Sequence, residues 1–200
     1  MIRYFLLFLI PPEKDSLSVE LNNVKRFSAG IKFGVPYMEV VGVQYTLPFF
    51  GYQFAPYFDY SQYSYKTKNE DAEFLFSEWG ISYFFQQRSK GFYIGLSNSN
   101  LTYQVNLKNI SLENGSQGTG GGKVEMRTTN FRLGYKTGGG LYLRIEMGYG
   151  FGDIPMNVIY KAVDISAPNY IELKTKKIPE INGISKSGVL VGNIGLGISF

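Results

Sequence analysis

Few residue types in this chain could carry out chemistry. The 200 residues include no histidine and no cysteine, which removes histidine general bases, thiol nucleophiles and the metal sites that either residue would build. Asp59 and Glu78 could serve as a general acid and base. We expect structural ion pairs there instead, because arginines fall on the same side of the predicted strands. The sequence therefore predicts no catalytic residue, no cofactor and no metal site.

Six charged residues on the polar side of predicted strands form the candidate site. Three are cationic and three anionic: Lys32, Asp59, Glu78, Arg132, Arg144 and Glu146. Placing Leu133 opposite Leu143 in the hairpin of the sixth and seventh strands keeps apolar residues together. The same register sets Arg132 opposite Arg144, so the three carboxylates are expected to neutralise the guanidinium groups. Such a cluster either plugs the lumen or lines a gated pore.

The elements that position these residues are eight segments in which apolar residues alternate with small or polar ones. Ile194, Leu196, Ile198 and Phe200 show the pattern most clearly, since Asn, Gly, Gly and Ser separate them from residue 193 onward. This alternation is typical of a barrel strand between lipid and a polar lumen. The eight segments are 30–35, 41–47, 54–61, 78–85, 92–97, 130–135, 141–151 and 193–200. They predict an all-β fold, an eight-stranded antiparallel up-and-down transmembrane β-barrel with long external loops.

The links between segments agree with this topology, because bacterial barrels have short periplasmic turns and long external loops. Short links fall at 48–51, 86–90 and 137–139, and long links at 66–73, 108–122 and 152–187. The turn at Pro36 and Tyr37 is short for an external loop, so part of 17–27 could replace the first strand. We assign 28–200 to the barrel domain and 1–27 to a lead-in, in which 1–10 resembles a secretory signal without its cleavage site.

Composition supports a β-barrel and excludes other classes. No apolar run approaches the roughly 18 residues of a transmembrane helix, and a net charge of +4 without a dense basic stripe argues against a nucleic-acid partner. Aromatic residues cluster near the short turns, as in the interfacial girdle of a membrane protein. They are Tyr45, Phe49, Phe50, Tyr52, Phe54, Phe84, Phe85, Phe92, Tyr93, Tyr135, Tyr142 and Phe200. The alternative is a soluble β-protein in which these rings form the core.

The terminal strand resembles that of small bacterial outer-membrane β-barrel proteins, the family of outer-membrane protein X and the membrane domain of outer-membrane protein A. The chain also looks like barrel-domain proteins of Bacteroidota. The resemblance implies a Gram-negative outer membrane, lipid as a partner, and assembly by the barrel-assembly machinery, which reads a final strand such as Ile194, Leu196, Ile198 and Phe200. Enzymes among these barrels rely on a histidine, so the resemblance implies a non-enzymatic protein.

The long link 152–187 is the candidate interaction region. Its stretches 156–163 and 170–176 alternate like strands and could form a hairpin that offers a backbone edge to a surface ligand or protein. It could equally cover the barrel mouth. Lys174, Lys176 and Lys177 could meet lipopolysaccharide phosphates or form a solvated basic face. Three functions follow: a structural or surface-interaction barrel, a narrow pore or passage for small solutes or apolar ligands, and a soluble barrel that binds an apolar ligand.

Overall fold

The computed structural model describes residues 24–35, 39–178 and 183–200. The predicted signal segment, most of 17–27 and the turn at Pro36 and Tyr37 lie outside the described residues. Within the described part, no helix is both long enough and apolar enough to cross a membrane.

The described residues form eleven β-strands and one short 3-10 turn at Phe50–Tyr52. The strands are β1 (Phe27–Val35), β2 (Glu39–Tyr45), β3 (Phe54–Lys66), β4 (Glu70–Gln86), β5 (Lys90–Ser111), β6 (Gln117–Lys136), β7 (Leu141–Phe151), β8 (Asn157–Asp164), β9 (Ile171–Lys177), β10 (Ile184–Ser185) and β11 (Gly188–Ser199). Strands β1 to β7 pair with their neighbours in order. The ring closes because β11 pairs with both β7 and β1.

This closed ring of eight antiparallel strands confirms the predicted fold class. The eight predicted segments all fall on ring strands, and β1 is the first strand as predicted. The barrel has two ends: the turn end, where short links join β2 to β3, β4 to β5 and β6 to β7, and the loop end, where β3 meets β4 and β5 meets β6.

The predicted external loops are shorter than expected, because the strands continue through them. β4, β5 and β6 contain 17, 22 and 20 residues, against about 10 for a membrane crossing. The links at 66–73 and 108–122 therefore reduce to 67–69 and 112–116. In these extensions the alternation is reversed: Leu101, Tyr103 and Val105 of β5 are buried inside, the residues between them are polar, and the backbone pairing continues.

The predicted register of β6 against β7 is wrong by four residues. Leu133 lies opposite Met147 and Arg132 opposite Gly148, while Lys136 lies opposite Arg144. Alternation excludes odd slips, which exchange the two faces, but it does not separate registers that differ by an even number. Two cations still face each other, with Lys136 in place of Arg132.

The two faces of the wall differ as the alternation predicts. Large apolar side chains point outward around the ring, including Phe33, Val41, Trp79, Leu133 and Ile145. The predicted girdle needs one correction: Phe84, Tyr93 and Tyr142 are buried inside the barrel, because they share the inward phase of their strands. The other rings near the turn end form outward contacts, such as those of Phe27 with Tyr45 and of Phe92 with Tyr135.

The interior is filled along its length. At the loop end lies a group of buried apolar side chains, here called the loop-end core: Val40, Ala72, Phe76, Leu101, Tyr103, Val105, Val124, Met126, Ile154, Val158, Ile178, Val189 and Val191. Ile154, Val158 and Ile178 come from the link 152–187, which therefore covers the barrel mouth from inside. Toward the turn end, Ala55, Phe84 and Tyr93 form a smaller apolar group.

Candidate functional site in the barrel interior

The structure brings all six predicted charged residues together inside the barrel. Five strands supply them: β1, β3, β4, β6 and β7. We call the set Lys32, Asp59, Glu78, Arg132, Arg144 and Glu146 the charge cluster. Each member is at most 6% exposed, so its charge is removed from water and depends on partners within the wall.

Glu146 is the centre of the charge cluster. Its Oε2 lies 3.4 Å from Lys32 Nζ and 3.2 Å from Arg132 Nη1, and its Oε1 lies 3.5 Å from Arg144 Nη1. The Tyr93 hydroxyl donates to the same Oε1 at 2.5 Å. One carboxylate thus serves three cations, which makes it the least replaceable member of the cluster.

Glu78 and Asp59 also bind buried partners. Glu78 accepts hydrogen bonds from Arg132 Nη2, from the Tyr57 hydroxyl at 2.8 Å, from Ser97 Oγ at 2.8 Å and from Asn130 Nδ2 at 3.2 Å. Asp59 Oδ2 accepts from Lys32 Nζ at 2.6 Å. Both carboxylates therefore hold buried ion pairs. Among the described residues, no group of three or more acidic residues is arranged to hold a metal.

Sequence reasoning missed several polar residues that complete the cluster. Lys136 is buried, and its Nζ donates to Ser28 Oγ at 2.9 Å and to Gln44 Oε1 at 3.0 Å. It continues the inward phase of Arg132, but the predicted strand ended one residue before it. Tyr57 and Tyr93 were on the polar side of their predicted segments. Their large rings gave no sign that the hydroxyl groups would serve as hydrogen-bond donors.

Glycines make room for the inward rings. A Cβ at Gly134 would lie 2.4 Å from the Tyr93 ring, and one at Gly30 would lie 2.5 Å from the Tyr142 hydroxyl. Both tyrosines therefore lie flat against backbone that carries no side chain. This packing carries Tyr93 Oη to Glu146 and places Tyr142 beside Lys136, whose Nζ lies 4.3 Å from the ring centroid.

Outside the ring of eight strands, β8 and β9 form the hairpin predicted in the long link. β8 pairs with β6 over Gly118–Gly121 and with β9 along its length. Beyond β9, no further strand is paired among the described residues. The link 152–187 therefore has both predicted features: its inner side chains cover the barrel mouth, and its outer strand β9 leaves a backbone edge open.

Lys174 and Lys176 of β9 face inward across the loop end, whereas Lys177 is exposed on the opposite face. Lys176 Nζ lies 2.6 Å from Glu70 Oε2, and Lys174 lies 3.2 Å from Glu172 and donates to the Ser111 carbonyl. The opposite face exposes Ile159, Ile171 and Leu173. The exposed face of the hairpin is therefore more apolar than the lysine count indicates.

Asp164 holds the tip of the hairpin. Its carboxylate accepts hydrogen bonds from the Ser116 hydroxyl and from Asn114 Nδ2, and from the backbone N–H groups of Ser166 and Ala167. These donors stabilise the charged form and lower the pKa of Asp164 to about 2. The link between β5 and β6 is thereby tied to the turn between β8 and β9.

The terminal strand presents its apolar residues to the outside. Ile194, Leu196, Ile198 and Phe200 are each more than half exposed, while Asn193 is buried in the lumen. The strand closes the ring by pairing with β1 from Ser28 to Val35. The predicted lipid-facing stripe is thus on the outer surface of the closing strand.

The fold defined by this wall and interior is a closed up-and-down β-barrel. No protein-family model matches the chain, and no curated protein matches it significantly. Among solved structures it is similar to a major outer membrane protein from Thermus thermophilus, with a TM-score of 0.55 and 10% identity over 88% of this chain and 98% of that one. CarO of Acinetobacter baumannii aligns with a TM-score of 0.39 and 10% identity over 86% and 97%. At this identity, the first likeness shows the barrel fold alone.

Proposed function

We propose that this chain is a non-enzymatic β-barrel of a Gram-negative outer membrane, with a closed lumen and a structural or surface-interaction role. The observation that carries the proposal is the filled interior. The charge cluster occupies the middle of the barrel, and the loop-end core closes the mouth above it. An eight-stranded barrel has room for side chains and little else, so such an interior supports a plug rather than a channel.

The outer surface supports the membrane location. Apolar side chains occupy outward positions on all eight ring strands, and at the level of the charge cluster the inside is polar. A soluble barrel that binds an apolar ligand would need the reverse arrangement. Lipid is therefore the partner that best explains the outward face.

Two further partners follow from the same arrangement. The outward stripe of Ile194, Leu196, Ile198 and Phe200 is the segment through which the barrel-assembly machinery would recognise the chain. The open edge of β9, flanked by exposed Ile171 and Leu173, would be the surface that pairs with a ligand or protein outside the cell. The absence of histidine and the ion-paired state of every carboxylate in the charge cluster support a non-enzymatic role.

Electrophoretic mobility and conductance test the two parts of the proposal separately. An unboiled sample in detergent should run differently from a boiled one, as a closed membrane barrel does. Recovery in the soluble fraction of cells would contradict the membrane location.

In a planar bilayer, the refolded protein should show no steady conductance. A steady conductance that changes on replacing Arg132 or Arg144 would instead establish a narrow passage.

Protease accessibility tests the orientation of the hairpin. Protease added to intact cells should cut the turn 165–170 between β8 and β9 and leave the ring strands intact. Cleavage that requires a permeabilised outer membrane would place this end of the barrel in the periplasm and remove the surface-interaction role.

A further inference from the structure

The charges in the barrel interior do not balance. Its buried cations are Lys32, Arg132, Lys136 and Arg144, and its buried carboxylates are Asp59, Glu78 and Glu146. The excess positive charge lies toward the turn end. Among the described residues, the hydrogen-bond partners of Lys136 Nζ are Ser28 and Gln44, neither of them a carboxylate. Lys136 also faces Arg144 across the β6–β7 pairing.

Gln44 lies between these two cations and fixes the geometry around them. Its Oε1 accepts hydrogen bonds from both Lys136 Nζ and Arg144 Nη2. Two cationic donors on one atom identify it as the carbonyl oxygen, so Nε2 points away from them. Gln44 Nε2 and Arg144 Nε are buried, and neither has an acceptor among the described residues. Buried donors of this kind normally have a partner.

A small cavity adjoins these donors. It has a volume of about 10 Å³, and Gln44, Arg144, Lys32, Asp59 and Tyr142 line it together with glycines. The glycines of the lining are Gly30, Gly42 and Gly195. Asp59 Oδ2 is occupied by Lys32 Nζ at 2.6 Å. A volume of this size holds about one water molecule, which admits a monatomic anion and excludes phosphate or a carboxylate ligand.

A cationic cleft lies at the same end of the barrel. It encloses about 560 Å³, and its lining includes Lys25, Arg88, Lys90 and Lys136. No acidic residue belongs to the described lining. Such a cleft concentrates small anions near the turn end, and the side chain of Lys136 runs from the cleft lining to Gln44 inside the lumen.

We propose that the turn end of the lumen binds one chloride-sized anion, held by Gln44 Nε2 and the guanidinium group of Arg144 and balanced electrostatically by Lys136. The anion compensates the excess cation and supplies the acceptor that the two buried donors require. It would be a structural ligand of the barrel, independent of whether the lumen conducts.

Halide-dependent stability of the refolded barrel in zwitterionic detergent tests this site. Urea unfolding, followed by the fluorescence of the single tryptophan, Trp79, is measured in sodium gluconate and again with chloride, bromide or sulfate at matched ionic strength. Chloride and bromide should raise the midpoint with saturation at one site per chain, and sulfate should not. Equal midpoints in all four salts would overturn the proposal.

A variant with a carboxylate at the proposed anion site provides a second test. Gln44→Glu places a covalent anion between Lys136 and Arg144, so its stability should no longer respond to halide. Gln104→Glu makes the same change at an exposed position of β5 and should keep the full response. A halide response of Gln44→Glu equal to that of the parent chain would overturn the site. If Gln44→Glu does not fold, anomalous diffraction from bromide-grown crystals of the parent chain decides: a peak within hydrogen-bond distance of Gln44 Nε2 supports the site, and its absence overturns it.

Discussion

The charge cluster and the loop-end core fill the same barrel by opposite means. In the cluster, buried charges are held by a few directed contacts, and Glu146 alone serves three cations. In the loop-end core, apolar side chains from the wall pack against Ile154, Val158 and Ile178 from the link 152–187. Removing one partner of a buried ion pair leaves an unpaired charge, whereas truncating an apolar side chain leaves a cavity. Loss of one charged residue should therefore destabilise the whole charge cluster, whereas truncation of one apolar residue should destabilise the loop-end core only locally.

The largest effect is expected at Glu146. Glu146→Gln leaves Lys32, Arg132 and Arg144 with too few carboxylates, and loss of one partner from a buried ion pair costs about 3–5 kcal/mol. Urea unfolding of the refolded barrel, read from gel mobility, measures the loss. Glu125→Gln is the matched control, because this exposed residue of β6 forms ion pairs with exposed Lys123 and Arg127. It should leave the midpoint unchanged. Equal effects of the two changes would contradict the central role of Glu146.

The loop-end core should respond locally. Ile154→Ala removes a fully buried side chain of the covering link and should cost about 2–5 kcal/mol. Because the ring closes through β11 without the link, hydrogen exchange should rise across 152–178 while the ring strands stay protected. Ile159→Ala is the same change at an exposed position of β8 and should alter neither quantity. Increased exchange around Arg132 and Glu146 would show that the two regions do not behave independently.

The difference between these regions also explains what the sequence can predict. Alternation identifies the eight ring strands and the inward phase of all six cluster residues, because large apolar residues mark the outward side of each strand and small or polar residues mark the lumen side. Alternation cannot fix the β6–β7 register, since a shift by an even number of residues keeps every side chain on the same face. The sequence therefore did not show that Lys136 lies opposite Arg144. It also cannot show that the link 152–187 contributes Ile154 and Ile178 to the core. Those contacts depend on where the chain returns after β7.

A third change tests how the cluster is supported. A methyl group at Gly134 would lie 2.4 Å from the ring of Tyr93, which donates to Glu146. Gly134→Ala should therefore displace Tyr93 and cost about 1–3 kcal/mol, as overpacking usually does. Gly192→Ala is the control, since a methyl group there meets no atom within 4 Å. Equal unfolding midpoints for the two variants would mean that Tyr93 is free to move, and the cluster would then not depend on its hydrogen bond.

The smallest expected effect is the pH response of the hairpin that covers the core. The pKa of Asp164 is lowered from 3.8 to about 2 by hydrogen bonds from Ser116 and Asn114. A carboxylate with a lowered pKa stabilises the folded hairpin above the unfolded value, and this contribution is lost as the pH falls from about 3.8 through about 2. Proteolysis by an acid-stable protease at the turn 165–170 should thus accelerate between pH 4 and pH 2. Between pH 8 and pH 5 the carboxyl group of Asp164 stays ionised and should not alter the rate of proteolysis. Asp164→Asn should be cut faster than the parent chain at pH 5 and should lose the acceleration at low pH. If the parent chain is cut at the same rate at pH 4 and pH 2, then Asp164 does not hold the hairpin tip, and the loop-end cover depends on its apolar contacts alone.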